Sequence, residues 1–597
     1  MKDAATVPAA ALVRPLVADA LASADEGPEG AARRLVGTLR ANKFPLLACS
    51  DDLPPALAGT RAWREALARD QETLSSQRQE FLRVREAWAR AGIPCLAFKS
   101  AGTFPSFPYT SDNLDLLVHP DDCPRARALL EGLGYVWLRN IDEPRKFLFR
   151  RFVAGRSVLA VHVHAWVGWD VEFLGQGIWR RARPAPDDPF LTVPGPEDCL
   201  LVNVAHALYE NKRFTLFDLH KVTAHWAAPD LDWGYIEGEA LNRGWHDGLL
   251  LGLLACVRME EALTGRTTAP PALVSRWRRA LRAYPWAYAY WLQLRRAKAR
   301  TPFPISFPVS KLLYYRKVLS DGQRLPAARA ADLLKVLVWG FKQKSGLRPQ
   351  PGLLVSLSGL DGAGKSTVAK ALHSALRISG VRARVVWTRC GCSPAYRALS
   401  GVARRLLDDD GGGEGHPPST VPPLPALWAA ANALDVLVSL AWHAWLPRLL
   451  GKVVVCDRYT YDAAAEILSR LGGGGPLATL ALRLLLALAP RPDHAFLLDV
   501  PPEVASARGD EAAPPSVLAA QRDIYLRLAR EHRLWVVDTS GEGRDPRDLV
   551  TLAVLRDYQD RFRTLLNGLL LSNPSQLNPD DPMARTPLRR WRCAYWW

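Results

Sequence analysis

One stretch, Leu353 to Thr367, constrains the fold of this chain more than any other. Leu353–Leu357 is apolar at nearly every place and predicts a buried parallel strand. Gly359-Leu360-Asp361-Gly362-Ala363-Gly364-Lys365-Ser366 follows, with the spacing G-x-x-x-x-G-K-[ST]. Val368, Ala371, Leu372 and Leu376 then share one face of a helix predicted from Thr367 to about Ser379. A strand, a glycine loop and a helix in this order suit a polyphosphate. Glycines let several backbone N–H groups converge on the oxygens, and the helix N-terminus adds positive potential. Lys365 is placed for the β- and γ-phosphates and the Ser366 hydroxyl for Mg²⁺. ATP and Mg²⁺ are therefore the expected cofactors. Gly359, Asp361, Gly362, Ala363, Gly364, Lys365, Ser366 and Thr367 are the expected cofactor-binding residues.

With 597 residues the chain exceeds one domain. Its net charge of +17 is concentrated. Arg276 to Arg348 holds 17 Lys/Arg against two acids, Asp321 and Asp332. The nine cysteines follow no regular framework, and Cys390-x-Cys392 finds no second pair to complete a zinc site. Reduced thiols and a cytoplasmic setting are expected. The N-terminal residues carry acids and lack the apolar core of a secretory signal. The longest apolar stretch, Leu424–Leu446, is interrupted by Asn432, Asp435 and His443, so it is expected to be a buried or groove-lining helix.

Residues 1–90 predict helices, best over Ala31–Ala41 and Trp63–Ala91. Strands are expected over Gly92–Lys99, Ser111–Val118 and Tyr135–Leu138, with a helix over Pro124–Gly134. The pieces Gly92-Ile93-Pro94, Phe98-Lys99, Leu114-Asp115-Leu116-Leu117-Val118 and Leu133-Gly134-Tyr135, then Pro196-Glu197-Asp198 and His206, occur in this order. Over roughly residues 35–260 the chain resembles a family of uncharacterised nucleotidyltransferase-like proteins. The resemblance implies an α+β domain with carboxylates at i and i+2 on one strand, holding a divalent ion against a triphosphate. It implies a metal role for Asp115 and Asp112, but the residue two before Asp115 is Asn113. The later strand reads Val161-His162-Val163-His164 where the family tends to carry an acid. Three readings stand: nucleotidyl transfer around Asp115 with Asp112 swinging in, a His162/His164/Asp115 metal site, or a domain that binds without catalysing.

Between Arg276 and Arg348 cations alternate with aromatics, among them Trp277, Trp286, Trp291 and Trp339. Such a segment is a helical linker with a solvated basic face, or a contact for an anionic membrane surface. Nucleic acid is the third alternative, and no recognition motif supports it.

Beyond the phosphate loop, strands are expected at Ala383–Arg389, Gly451–Tyr459, His494–Val500 and Leu534–Asp538, alternating with helices. That order predicts a parallel, doubly wound sheet. Gly359–Thr367, Thr388-Arg389, Asp457-Arg458-Tyr459, Pro492-Asp493, Leu498–Val504 and Arg522 with Tyr525 resemble thymidylate kinases, over about 350–545. The resemblance implies that Asp361 contacts the acceptor's sugar and that Arg389 and Arg458 grip its phosphate. Asp457 would orient Arg458 or the metal's waters, and Arg508 would serve as the lid cation. The base-reading arginine of that family is matched by Asn432, with Trp428 as the candidate to stack on a base.

The expected architecture is α/β: a C-terminal doubly wound P-loop NTPase domain and an N-terminal α+β nucleotidyltransferase-like domain with added helices. The expected divisions are 1–265, a basic connector 266–350, 351–560, and a tail 561–597. The expected chemistry is ATP- and Mg²⁺-dependent phosphoryl transfer to a phosphorylated acceptor such as dTMP. The alternatives are nucleotidyl transfer by the first domain or an ATP-gated module. A homodimer, and contact with the inner membrane face through the connector, complete the expectations.

Overall fold

The computed structural model describes residues 9–22, 27–99, 101–103, 106–107, 113–138, 146–169, 171–226, 230–296, 301–304, 312, 315–316, 319, 325–344, 350–388, 424–471, 476–508, 514–541 and 543–568. Asp112, Arg389, Cys390, Cys392 and the Trp-rich tail lie outside the described residues.

The long helix Arg61–Arg90 is amphipathic: Trp63, Ala66, Phe81, Val84 and Trp88 are buried. The Thr60 hydroxyl caps its start by accepting from the Trp63 N–H at 3.3 Å. The strands up to His164 are β1 (Cys95–Ala97), β2 (Asn113–Val118), β3 (Val136–Leu138), β4 (Lys146–Arg150), β5 (Phe152–Val153), β6 (Arg156–Ser157) and β7 (Ala160–His164). Five of them form one mixed sheet in the order β1-β2-β7-β4-β3. Only β2 and β7 run parallel in it, with Asp115 opposite His162 and Leu117 opposite His164. Strand alternation buries Leu114, Leu116 and Val118 and turns Asn113 and Asp115 to the other face.

The first domain's core does not stop at residue 265. Ala269, Val274, Trp277, Leu281, Ala287, Trp291, Leu294 and Phe303 are part of it. These aromatics of the connector pack into the first domain. Trp277 is 0% and Trp291 3% exposed, while Trp286 at 74% and Phe341 at 70% are rings in solvent. In the helix Pro271–Leu281 the apolar face is Val274, Trp277 and Leu281, at i, i+3 and i+7. Arg276, Arg278 and Arg279 take its other side, so the same composition serves a buried face and a basic face.

The second sheet has five strands: β8 (Leu353–Gly359), β9 (Ala383–Trp387), β10 (Val453–Asp457), β11 (His494–Asp499) and β12 (Trp535–Asp538). Their order is β9-β10-β8-β11-β12, all parallel, as the doubly wound expectation requires. Every residue of β8 is buried, because it is central and covered on both faces. Its carboxyl end opens into the phosphate loop and the helix Lys365–Ile378.

The apolar stretch from Leu424 is helical to Leu449, with a π-helical turn at Ala441–Trp445. Trp428–Leu449 is long and apolar enough to cross a membrane by length and composition, and 39% of it is buried. It is less covered than expected. Leu434, Val438, Trp442 and Leu449 form an exposed stripe, and Leu480, Leu484 and Leu488 are exposed on the partner helix Pro476–Leu488. Trp428 is not free to stack on a base, because it packs with Ala429, Ile467 and Ala478.

The two halves share a core. Val136, Leu138 and Phe152 of the first sheet region are buried among the kinase-side apolar residues. β3 and β5 meet the helix Pro546–Gly568, and β6 meets the helix Lys365–Ile378. Full burial of a phenylalanine such as Phe152 contributes about 2–3 kcal/mol. The Ala154 N–H donates to Asp548 Oδ1 at 2.7 Å, and the Arg563 guanidinium lies 3.9 Å over the Trp137 ring.

Candidate active site

The site grows from the end of β8. Gly359 has φ +147°, and a Cβ there would collide with the Leu498 carbonyl of β11. Gly362 has φ +87° and lies against the Ala505 carbonyl in the same way. At these two positions the turn and the close approach both require glycine.

Lys365 opens the helix and is 6% exposed. Its Nζ donates to the carbonyls of Gly359 and Leu360, both at 2.8 Å, and lies 3.4 Å from Asp361 Oδ1. Burial lowers its pKa below the ordinary lysine value. The Asp462 carboxylate opposes this, and the Arg458 charge reinforces it. The next residue, Ser366, donates its hydroxyl to Asp457 Oδ2 at 2.6 Å. Asp457 ends β10 and pairs across the sheet with Leu357, which brings it beside the loop. A hydroxyl and a carboxylate are hard oxygen donors, and they suit Mg²⁺, which takes few protein ligands and completes its shell with water and phosphate. The loop's backbone amides and Lys365 suit the phosphates of ATP.

Arg458 holds a left-handed backbone at φ +81°. Its N–H donates to the Leu357 carbonyl at 3.0 Å, and its own carbonyl accepts from the Thr388 hydroxyl. This fixes an unfavourable conformation that points the side chain across the loop, where the guanidinium pairs with Asp361. Burial pushes the Asp361 carboxyl up, but the charges of Lys365 and then Arg458 outweigh it and hold its pKa low.

Asp462 was not singled out in the sequence, yet it ties these parts together. Its Oδ2 accepts from the Tyr459 N–H at 2.8 Å. Its Oδ1 accepts from the Gly359 N–H at 3.3 Å and the Tyr525 hydroxyl at 3.1 Å. The available signal was an acid in the first turn of the helix Thr460–Leu471. Arg508 ends the helix that backs onto Gly362 and donates to the carbonyls of Thr539 at 2.8 Å and Ser540 at 3.3 Å. Arg522 makes a two-pronged pair with Asp499 at 2.7 and 2.8 Å. Ala363 is buried and Thr367 is exposed at the helix start.

A second cluster lies in the first domain. Asp115 Oδ1 meets Lys99 Nζ at 3.0 Å, His162 Nδ1 at 3.2 Å and His164 Nε2 at 2.8 Å. Lys99 also reaches Glu210 Oε2 at 2.9 Å, Lys146 reaches Glu210 Oε1 at 2.9 Å, and His206 Nε2 lies 3.2 Å from Glu210. Burial raises the Asp115 carboxyl, but Lys99 and the hydrogen bonds from His162 and His164 hold it well below the usual range. Burial pulls His162 and His206 down and His164 down to about 3. The residue two before Asp115 on the same strand face is Asn113, so among the described residues no carboxylate pair forms on that face. Lys99, Lys146 and Glu210 were missed as members, since they come from separate segments.

Residues 44–260 match the family described as uncharacterised nucleotidyltransferase, and residues 357–548 match the thymidylate kinase family. A thymidylate kinase of Cupriavidus taiwanensis is 33% identical over 211 residues, covering 33% of this chain and 95% of the relative. One from Dinoroseobacter shibae is 34% identical over 166 residues, covering 27% of this chain and 70% of the relative. A probable thymidylate kinase from Saccharolobus solfataricus is 27% identical over 192 residues, covering 31% and 88%. The central β8, the phosphate loop and the Asp457-Arg458-Tyr459 strand end all fall inside the matched segment. Through this kinase domain, which follows a nucleotidyltransferase-like domain, the chain belongs to the thymidylate kinase family.

Proposed function

We propose that the protein transfers the γ-phosphoryl group of ATP, with Mg²⁺, to a nucleoside monophosphate, with dTMP as the first candidate. The observation that carries this reading is the Ser366–Asp457 contact at 2.6 Å beside the buried Lys365. The loop amides and Lys365 bind the β- and γ-phosphates once the ammonium leaves the Gly359 and Leu360 carbonyls. Ser366 and Asp457 hold the Mg²⁺, which neutralises charge on the phosphate oxygens. Arg458 and Arg389 bind the acceptor phosphate, and a guanidinium fork does so bidentately. Asp361 receives the acceptor's sugar hydroxyl and competes with that phosphate for Arg458. Arg508 is the lid cation and must let go of Thr539 and Ser540 to serve. Catalysis on this reading is positioning and electrostatic stabilisation of an in-line transfer.

The exposed stripe Leu434, Val438, Trp442 and Leu449 supports assembly as a homodimer, covered by a second copy. We place the reaction in the cytoplasm, where ATP and reduced thiols are found; none of the six described cysteines is in a disulfide. The basic connector's contact with a membrane surface rests on its cations, since Trp277 and Trp291 are buried.

The test is ATP consumption against a panel of nucleoside monophosphates including dTMP, with Lys365→Ala as control. Turnover that needs one acceptor and vanishes in the control establishes the kinase reaction and names its substrate. Tight ATP binding without acceptor-dependent turnover rejects the reading in favour of an ATP-gated module.

A further inference from the structure

We propose that Lys99 is the resident cation of the N-terminal cleft, standing on Asp115 where a divalent ion stands in a metal-dependent nucleotidyl-transfer centre. The cleft then works on its ligands without a bound metal, and the protein's need for a divalent ion comes from Ser366 and Asp457.

The cleft has some features of a metal site. Asp115 Oδ1, His162 Nδ1 and His164 Nε2 lie within 4.8 Å of one another. Two histidines and a carboxylate are a known ligand set for transition metals. Three observations weigh against a resident ion.

The first is occupancy of the ligand atom. The Asp115 oxygen that would bind a metal already faces the Lys99 ammonium at 3.0 Å. That side chain is 2% exposed and also holds Glu210 at 2.9 Å. Lys99 has φ +63°, an unusual backbone for a lysine, at the end of β1.

The second is charge. Among the described residues two ammoniums, Lys99 and Lys146, face two carboxylates, Asp115 and Glu210, at 2.9–3.0 Å, so these four charges cancel. A divalent ion added to this set leaves two uncompensated positive charges in a largely buried cluster, where charge repulsion is poorly screened.

The third is the tautomer of His164. Its Nε2 faces Asp115 at 2.8 Å, while its Nδ1 is buried with no hydrogen-bond partner among the described residues. If Nε2–H donates to the carboxylate, Nδ1 is a bare lone pair and needs no acceptor. If Nε2 bound a metal, Nδ1 would carry the proton, and metal-bound histidines almost always give that proton to an acceptor. Asn113 adds to this, because an amide stands where a second carboxylate is needed to hold an ion against a triphosphate.

The test is metal titration of the full chain in an Asp457→Asn background, which removes a ligand of the kinase site. Mn²⁺ binding is followed by electron paramagnetic resonance and Zn²⁺ binding by calorimetry. With Lys99 intact, neither ion is expected to bind stoichiometrically. In Lys99→Ala one equivalent of at least one ion is expected to bind, and to be lost again on adding Asp115→Asn. Stoichiometric binding with Lys99 intact, abolished by Asp115→Asn, overturns the proposal. Binding in neither form overturns it too, because Lys99 is then not what excludes the ion. If circular dichroism shows Lys99→Ala unfolded, Lys99→Met takes its place, since it keeps the buried stem without the charge. The titration with Lys99 intact decides against the proposal on its own if an ion binds.

Discussion

Gly155, in the turn between β5 and β6, backs directly onto Ala371 of the phosphate-loop helix: a Cβ on Gly155 would lie 2.6 Å from the Ala371 Cβ and 2.7 Å from its Cα. The first domain thereby touches the helix that begins with Lys365 and Ser366. Phe152, buried in the kinase core, and the Ala154–Asp548 hydrogen bond hold the hairpin there.

Gly155→Val is expected to destabilise this junction by roughly 2–3 kcal/mol, through overpacking against backbone and a φ of +76° that favours glycine and penalises a β-branched residue. Calorimetry on the full chain should show a lower unfolding temperature, and limited proteolysis should open sites near the hairpin. An unfolding profile and digestion pattern like those of the parent would show that the hairpin is not docked as described.

Ser366→Ala and Asp457→Asn each remove one side of the 2.6 Å contact. Acceptor-dependent ATP turnover should fall on the order of 10²-fold or more in either, with the far-ultraviolet spectrum unchanged. Turnover within a few-fold of the parent in both variants rules the pair out as the metal-holding donors.

Arg458 joins a left-handed backbone, costing roughly 1–2 kcal/mol, to a role at the site. Its pair with Asp361 is solvent-facing on the Asp361 side, 62% exposed, and so returns little stability. Arg458→Gly should therefore unfold at the same or a higher temperature while losing acceptor-dependent turnover. A clear drop in unfolding temperature would mean that the side chain is structural.

His164 links the first domain's stability to pH. Its pKa falls from 6.5 in the unfolded chain to about 3 in the fold, because burial disfavours the charged ring. Between those values the unfolded state binds the extra proton, so stability falls as pH drops from 6.5 toward 3. His164→Gln should flatten the dependence of unfolding temperature on pH within that window. Parallel curves for parent and variant would remove His164 as the cause.

The exposed stripe offers a separate check. Leu434→Lys combined with Trp442→Lys places charge at two exposed positions, 64% and 69% accessible in the single chain. Sedimentation should shift from dimer to monomer. A parent chain that already sediments as a monomer removes the homodimer reading.

Local order along the chain decided the kinase side. Strand, loop, Lys365, Ser366 and helix follow one another without a break from Leu353 to Ile378, and their geometry follows from glycine, periodicity and burial, so they were legible in advance. Asp457 was legible as the charged end of an apolar strand. Contacts between distant segments decided the rest. Asp462 became a hub because the β8 end, Tyr459 and Tyr525 converge on it. Lys99, Asp115, His164 and Glu210 meet only when β1, β2, β7 and the turn around His206–Asn211 are brought together. Trp277 and Trp291 show the limit most plainly. An aromatic among arginines suits a membrane surface or a buried helix face equally well, and only packing against the first domain's core selected the second. Buried charge and apolar burial depend on which surfaces meet, and residue type along one segment does not specify its partner.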